Sequence, residues 1–148
     1  MSDFIEIKID NQEVERRLQE IAKKSSNLRP LMKNIAGIFA SATEDNFAEQ
    51  GRPDKWVDLS EVTKKQRKKI GKYPGQILQV SGQLASSVNT YYDEDSAIIG
   101  SNLAYAAIHQ LGGQAGKNKK VTIPARPYLK LTDEDLEEVL TATERHLE

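Results

Sequence analysis

The sequence predicts an α+β domain: a small, mostly antiparallel sheet packed with helices, preceded by an N-terminal helical pair. Three patterns predict it. Leu28, Leu31, Ile35, Ile38 and Ala42 step by three, four, three and four, which is the seam of a helix. Ile5, Ile7 and Ile9 alternate with Glu6 and Lys8, the period of a strand with one buried face. Val88 to Tyr92 and Ala97 to Gly100 flank an Asp-Glu-Asp-Ser turn, an antiparallel hairpin.

Taken in order, the opening strand runs over about Phe4 to Ile9. Asp10 then stands three residues before Glu13, a capping-box-like start. Val14, Leu18, Ile21 and Ala22 share one face of the first helix, which ends near Ser25 and Ser26. The second helix begins near Asn27 with Pro30 in its first turn, where a missing N–H matters little. It runs to about Gln50, with Gly51 expected as its left-handed cap. Its seam is too short for a free coiled coil and fits a helical hairpin or core helix.

Trp56, Val57 and Leu59 follow as a small apolar anchor, and Ser60 or Thr63 caps a short basic helix, Lys64 to Ile70. Ile77, Leu78, Val80 and Leu84 predict a helix reaching Ser87, weakened at Gly82. After the hairpin comes a helix over Leu103 to Leu111, stopped by Gly112 and Gly113. Gln114 to Lys120 reads as a mobile basic loop, then Val121 to Ile123 as a short extended stretch. Pro124 and Pro127 hold their segment stiff, because each also restricts the residue before it. Thr132 and Asp135 start the last helix, with Leu136, Val139, Leu140 and Thr143 on its inner face.

The chain has 148 residues, which fits a single domain over 1–148, with 1–50 forming the strand and helical pair. Its hydrophobic share, 38%, is below the ~45–50% of an average domain, an average that also counts glycine. A modest core and a large polar surface follow. Net charge is −1, so the molecule as a whole is not a polyanion binder. The charge is nevertheless uneven. Residues 55–72 carry seven basic and two acidic side chains, a net +5; residues 132–148 carry seven acidic side chains and one Arg, a net −6. Opposite patches suit head-to-tail contact between copies, and equally suit two solvated faces that never meet. No cysteine is present, which excludes disulfides and thiolate metal sites. The first ten residues lack the pattern of a signal peptide, and no apolar run is long enough to span a membrane.

Catalytic chemistry finds little to work with, and no enzyme is predicted. The two histidines are His109, in a predicted helix, and His146, near the C-terminus. A hydrogen-bonding role for His109 outweighs a general-base role. Metal-ligand spacings are absent, and Asp93-Glu94-Asp95 lacks the glycine and distal Glu of a calcium loop. Gly112 to Lys117 superficially resembles a phosphate loop. The spacing of Gly112 and Gly116 is one residue too short, and Asn118 replaces the required hydroxyl after Lys117. No cofactor is expected. The competing binding function is nucleic acid. Lys64, Lys65, Arg67, Lys68, Lys69 and Lys72 crowd one segment, with Trp56 and Tyr73 nearby to stack on bases. No known nucleic-acid motif surrounds them.

The order of segments from Trp56 onward carries a resemblance. Trp56-Val-Asp-Leu59 precedes the basic stretch. Then come Ile77-Leu-Gln-Val-Ser-Gly-Gln-Leu84, the run Tyr105-Ala-Ala-Ile-His109-Gln110-Leu-Gly112-Gly113, and Ile123-Pro-Ala-Arg126-Pro127 with Tyr128 and Leu129. Over residues 55–147 this resembles the phage virion morphogenesis family, which includes tail-completion proteins of Mu-like and related contractile-tailed phages. The resemblance implies a structural protein acting in tail completion and head–tail joining, assembled in the host cytoplasm and carried in the virion. It implies a tail-terminator-like α+β fold that builds a ring of copies and contacts the tail tube or neck and head-completion proteins. A basic lining that passes DNA without gripping it is compatible with it; no membrane is involved. It supplies no catalytic residues. Tyr105, His109, Gln110, Arg126 and Trp56 are the interface candidates. Arg126, held on a stiff segment, is expected to fork onto a carboxylate. The other reading of Tyr105, His109 and Arg126 is that they stabilise the monomer alone.

Overall fold

The computed structural model describes residues 12–24, 27–79 and 82–146 in full, and of residues 5–6 the backbone pairing. Its elements are β1 (Ile5–Glu6), α1 (Gln12–Lys24), α2 (Arg29–Ala48), α3 (Glu61–Lys69), α4 (Gln83–Ser87), β2 (Asn89–Tyr92), β3 (Ala97–Ser101), α5 (Ala106–Leu111), β4 (Gly113–Ala115), β5 (Val121–Ile123) and α6 (Asp133–Arg145). The class is α+β, as the sequence predicts. One sheet has the order β1-β3-β2, antiparallel throughout, and β4 pairs with β5 in a separate ribbon. The expected opening strand is seen at residues 5–6; the rest of it, and the Asp10 cap, lie outside the described residues.

Two apolar clusters form. The first gathers Ile21 of α1, Leu31, Met32 and Ile35 of α2, and Val139 of α6. All of these but Met32 lie on the faces that the helical spacing predicts. α6 starts with a full capping box: Thr132 accepts from the Asp135 N–H, and the Asp135 carboxylate accepts from the Thr132 N–H. The second cluster lies beyond the C-terminal half of α2. It joins Phe47, Trp56, Leu59, Ile77, Leu84, Ala106, Tyr128 and Leu129. Phe47 meets Trp56 edge-on at 6.0 Å and Tyr128 at 5.3 Å.

Several expectations are corrected. The left-handed cap of α2 is Gln50 (φ 56), one residue before Gly51. The Gly51 N–H reaches the Asn46 carbonyl and the Gln50 N–H the Phe47 carbonyl, the paired bonds of a Schellman ending. A glutamine tolerates this conformation because its other groups are engaged: its carbonyl accepts from the Trp56 N–H and its side chain accepts from the Ile77 N–H. The helix expected over 77–87 shrinks to Gln83–Ser87. Gly82 has φ 75, which ends any helix approaching from before it, and residues 77 and 78 sit in a turn. Val80 lies outside the described residues. The helix expected from Leu103 starts at Ala106. Val57 is not part of the apolar anchor: it is 61% exposed while Trp56 and Leu59 are buried.

The segment expected as a mobile loop, Gln114 to Lys120, is instead a hairpin. Gly113, Gln114 and Ala115 pair with Ile123, Thr122 and Val121, and a short 3-10 turn at Lys117–Lys119 joins them. Polar and charged residues masked the strand period here. The pairing is set by Gly112, which turns the chain sharply and lets it pass close to the Pro-Ala-Arg-Pro segment. A Cβ at Gly112 would stand 2.8 Å from the Ala125 nitrogen.

Candidate functional site

The residues singled out by motif order converge on the second cluster, and most turn inward. Gln110 is buried. Its amide donates to the Leu129 carbonyl, and its side-chain oxygen accepts from the N–H groups of Tyr128 and Leu129, at 2.8–3.1 Å. It therefore pins the chain just after Pro127, where no ladder satisfies those groups. Tyr128 is fully buried and donates its hydroxyl to the Ala106 carbonyl at 2.7 Å; burial pushes its pKa upward. Trp56 is buried, and its indole N–H donates to the Pro127 carbonyl.

Arg126 does not fork onto a carboxylate. Its Nε donates to the Val57 carbonyl at 2.8 Å and an Nη to the Asp58 carbonyl at 3.0 Å. Burial, then nearby Arg67, lower its pKa, and Asp58 acts the other way. The stiff segment does hold the guanidinium in place, but the planar fork meets backbone oxygens. They are the acceptors that the irregular 57–59 segment leaves over.

A second set of polar groups, absent from the sequence reading, locks the same end to α6. Asn46 is fully buried, and its amide donates to the Tyr128 and Lys130 carbonyls. Arg52 donates to the Asn46 side chain, the Ala42 carbonyl and the Asp135 carboxylate, the last at 3.0 Å. Asp135 thus serves its own helix cap and a long-range ion pair together. Nothing local marks Asn46 or Arg52; the only available signal was a polar residue on the apolar seam of α2.

Tyr105 and His109 remain nearer the surface. Tyr105 is 39% exposed, its ring meets His109 edge-on at 5.7 Å, and its hydroxyl donates to Gln83. His109 is half-buried, and its Nδ1 is buried without a hydrogen-bond partner among the described residues. Burial, then the charge of Arg126, hold its pKa below the ordinary value. Tyr105 and His109 do share a face, but in ring contact.

The basic segment splits in two. Thr63, Lys64 and Arg67 face inward on α3. Lys64 pairs with Asp58 at 2.9 Å and Glu61 at 3.4 Å, and Arg67 donates to the Gln76 and Ile77 carbonyls. Ser60 caps the helix by accepting from the Thr63 N–H. Lys65, Lys68, Lys69 and Lys72 are exposed and have no ion-pair partner among the described residues. Asp93, first of the acidic turn, spends its carboxylate on the N–H groups of Asp95 and Ser96 and on the Ser96 hydroxyl. Among the described residues no cluster of metal-ligating side chains forms, and no helix is long and apolar enough to cross a membrane.

A model of the phage virion morphogenesis family matches residues 9–148. The chain belongs to the phage virion morphogenesis family. The match takes in both N-terminal helices, whereas the motif resemblance began only near Trp56. Among relatives, Mu-like prophage FluMu G protein 2 of Haemophilus influenzae is 41% identical over 138 residues, covering 93% of this chain and 91% of the relative. The putative capsid assembly protein G of Escherichia phage Mu is 32% identical, covering 99% and 96%. Mu-like prophage FluMu G protein 1 of H. influenzae is 31% identical, covering 97% and 94%. No solved structure matches. As a family member the chain has a role in phage morphogenesis, and within its own fold Gln110, Arg126 and Trp56 hold the chain around Tyr128.

Proposed function

We propose that the chain is a non-enzymatic structural component of a tailed-phage particle, acting in tail completion and head–tail joining as a ring of copies. It assembles in the host cytoplasm, contacts the tail tube or the neck and head-completion proteins, and stays in the virion. The observation that carries the reading is the contrast between interior and surface. Gln110, Arg126 and Trp56 hold the chain together, while Lys65, Lys68, Lys69 and Lys72 and the carboxylates of Asp133, Glu134, Glu137 and Glu138 stay exposed. A protein built that way has free charge at surfaces suited to partners. The tail-end assignment is supported by the order of motifs from Trp56 to Leu129, which resembles that of tail-completion proteins.

Electron microscopy of lysates from the parent phage with this gene disrupted tests the reading. DNA-filled heads beside unjoined or overlong tails are expected. Normal tails with missing or aberrant heads would move the role to the capsid, the part of the particle named for the phage Mu relative. Intact infectious particles would overturn the reading altogether.

The second reading is nucleic-acid binding through the exposed lysines of α3. It predicts DNA binding that weakens steeply with salt and is lost when Lys65, Lys68 and Lys69 become Glu. No binding at low salt would remove it.

A further inference from the structure

We infer that the outer face of α3 docks on the acidic outer face of α6 in the next copy, and that this pairing is the head-to-tail joint of the assembly. The inference rests on the ring reading and specifies it.

The first observation is that α3 has no buried residue. It is held by its inner side only, through Lys64, Arg67 and the Ser60 cap. Val62, Lys65, Gln66 and Lys69 fall on the opposite side at helical spacing, and Ile70, at the C-cap, is exposed at the end of the helix. Val62 is 66% exposed and Ile70 64%. A short helix of low intrinsic stability, with an exposed branched apolar side chain one turn before free lysines, presents a face suited to contact.

The second observation is a matching face elsewhere. On α6, Asp135, Val139 and Thr143 turn inward, so Glu134, Glu137, Glu138 and Thr141 share the outer side. Asp133, Glu134, Glu137 and Glu138 have no ion-pair partner among the described residues; Glu144, further along, pairs with Arg17 at 3.5 Å. Three free lysines on α3, with Lys72 just beyond it, thus match the charge of four free carboxylates on α6. The two faces differ, so their contact joins unlike surfaces of successive copies and propagates into a ring when the rotation closes.

The apolar residues favour a protein partner over nucleic acid. Phosphates would engage the lysines but leave Val62 and Ile70 in water. The methylene stems of the α6 glutamates, beside half-buried Leu136 and Leu140, can cover them.

The test reverses charge on each face of the full chain and measures assembly by sedimentation at the highest soluble concentration. One variant carries Lys65→Glu, Lys68→Glu and Lys69→Glu; the other carries Glu134→Lys, Glu137→Lys and Glu138→Lys. Each variant alone sets like charges against each other and is expected to associate at least about tenfold more weakly than wild type. An equimolar mixture restores attraction at every junction between unlike variants and is expected to recover association, which also shows that both variants fold. Wild-type association that survives either reversal would overturn the pairing and leave the ring standing. So would reversals that abolish assembly but do not complement each other while both keep the wild-type circular dichroism. A strictly monomeric wild type, alone and with tails added, would overturn the ring reading and the pairing with it. Loss of DNA binding in the first variant with assembly unchanged would assign the α3 lysines to phosphates and also overturn the pairing.

Discussion

At one end of the molecule Ile21, Leu31, Met32, Ile35 and Val139 bury against one another with no polar group among them. At the other end Tyr128 and Trp56 sit among Gln110, Asn46 and Arg126, and each of these polar side chains holds backbone groups far away in sequence. The first end is assembled by non-directional burial, which asks only for apolar volume on the right helical face. The second is assembled by directed hydrogen bonds in an irregular chain, where each donor and acceptor must find a partner or lose its solvation without return. The helical end therefore tolerates change in shape, and the motif end does not.

Gln110→Leu breaks the contrast most severely. It leaves the Tyr128 and Leu129 N–H groups and the Leu129 carbonyl buried and unpaired. At about 1–3 kcal/mol each, a loss of about 3–9 kcal/mol in urea-unfolding stability is expected. A change within about 1 kcal/mol would mean that the hydrogen bonds do not hold this end. Tyr128→Phe removes the hydroxyl from the Ala106 carbonyl at almost constant volume and should cost about 1–3 kcal/mol by the same measurement. Leu31→Met, equally buried at the helical end, should cost less than about 1.5 kcal/mol, because volume is nearly kept and no polar partner is lost. If Leu31→Met proves the more damaging of the two, the contrast between the ends fails.

The smallest expected effect is a pH dependence. His109 has a folded pKa below its ordinary value of 6.5, first from burial and then from Arg126. Protonation therefore favours the unfolded chain. The stability contributed by the neutral ring is fully present above pH 6.5 and is lost as pH falls toward and through the lowered folded value. The unfolding midpoint of the wild type should drop more between neutral and mildly acidic pH than that of His109→Gln. Parallel drops in the two proteins would show that the ring does not titrate against folding.

The same contrast explains what was legible beforehand. The helical seams of α1 and α2, the capped start of α6 and the β2–β3 hairpin were readable because burial on one face imposes a period and turns carry their own residue types. The order of motifs from Trp56 to Leu129 pointed to the family. It did not show whether the motif side chains face a neighbour or their own chain, since Gln110, Arg126 and Trp56 have polar groups that serve either way. The β4–β5 hairpin was missed because glycine, glutamine and lysine hide alternation, and the shortened α4 because the left-handed turn at Gly82 is a backbone choice that apolar spacing does not register.

By itself, then, the sequence determined the class of fold, the apolar faces of its long helices and the segregation of charge between residues 55–72 and 132–148. These depend on local spacing and on composition. Only the tertiary structure decided that Arg126 grips carbonyls, that Arg52 reaches Asp135, that Lys64 and Arg67 are spent inside while Lys65 and Lys69 are free, and that Gln50 takes the left-handed cap. Each of these turns on which donor lies within about 3 Å of which acceptor. For Arg126 and Arg52 that is settled by segments some seventy or eighty residues apart packing together, and for Lys64, Arg67 and Gln50 by how the irregular segments around α3 fold back on it and on the end of α2.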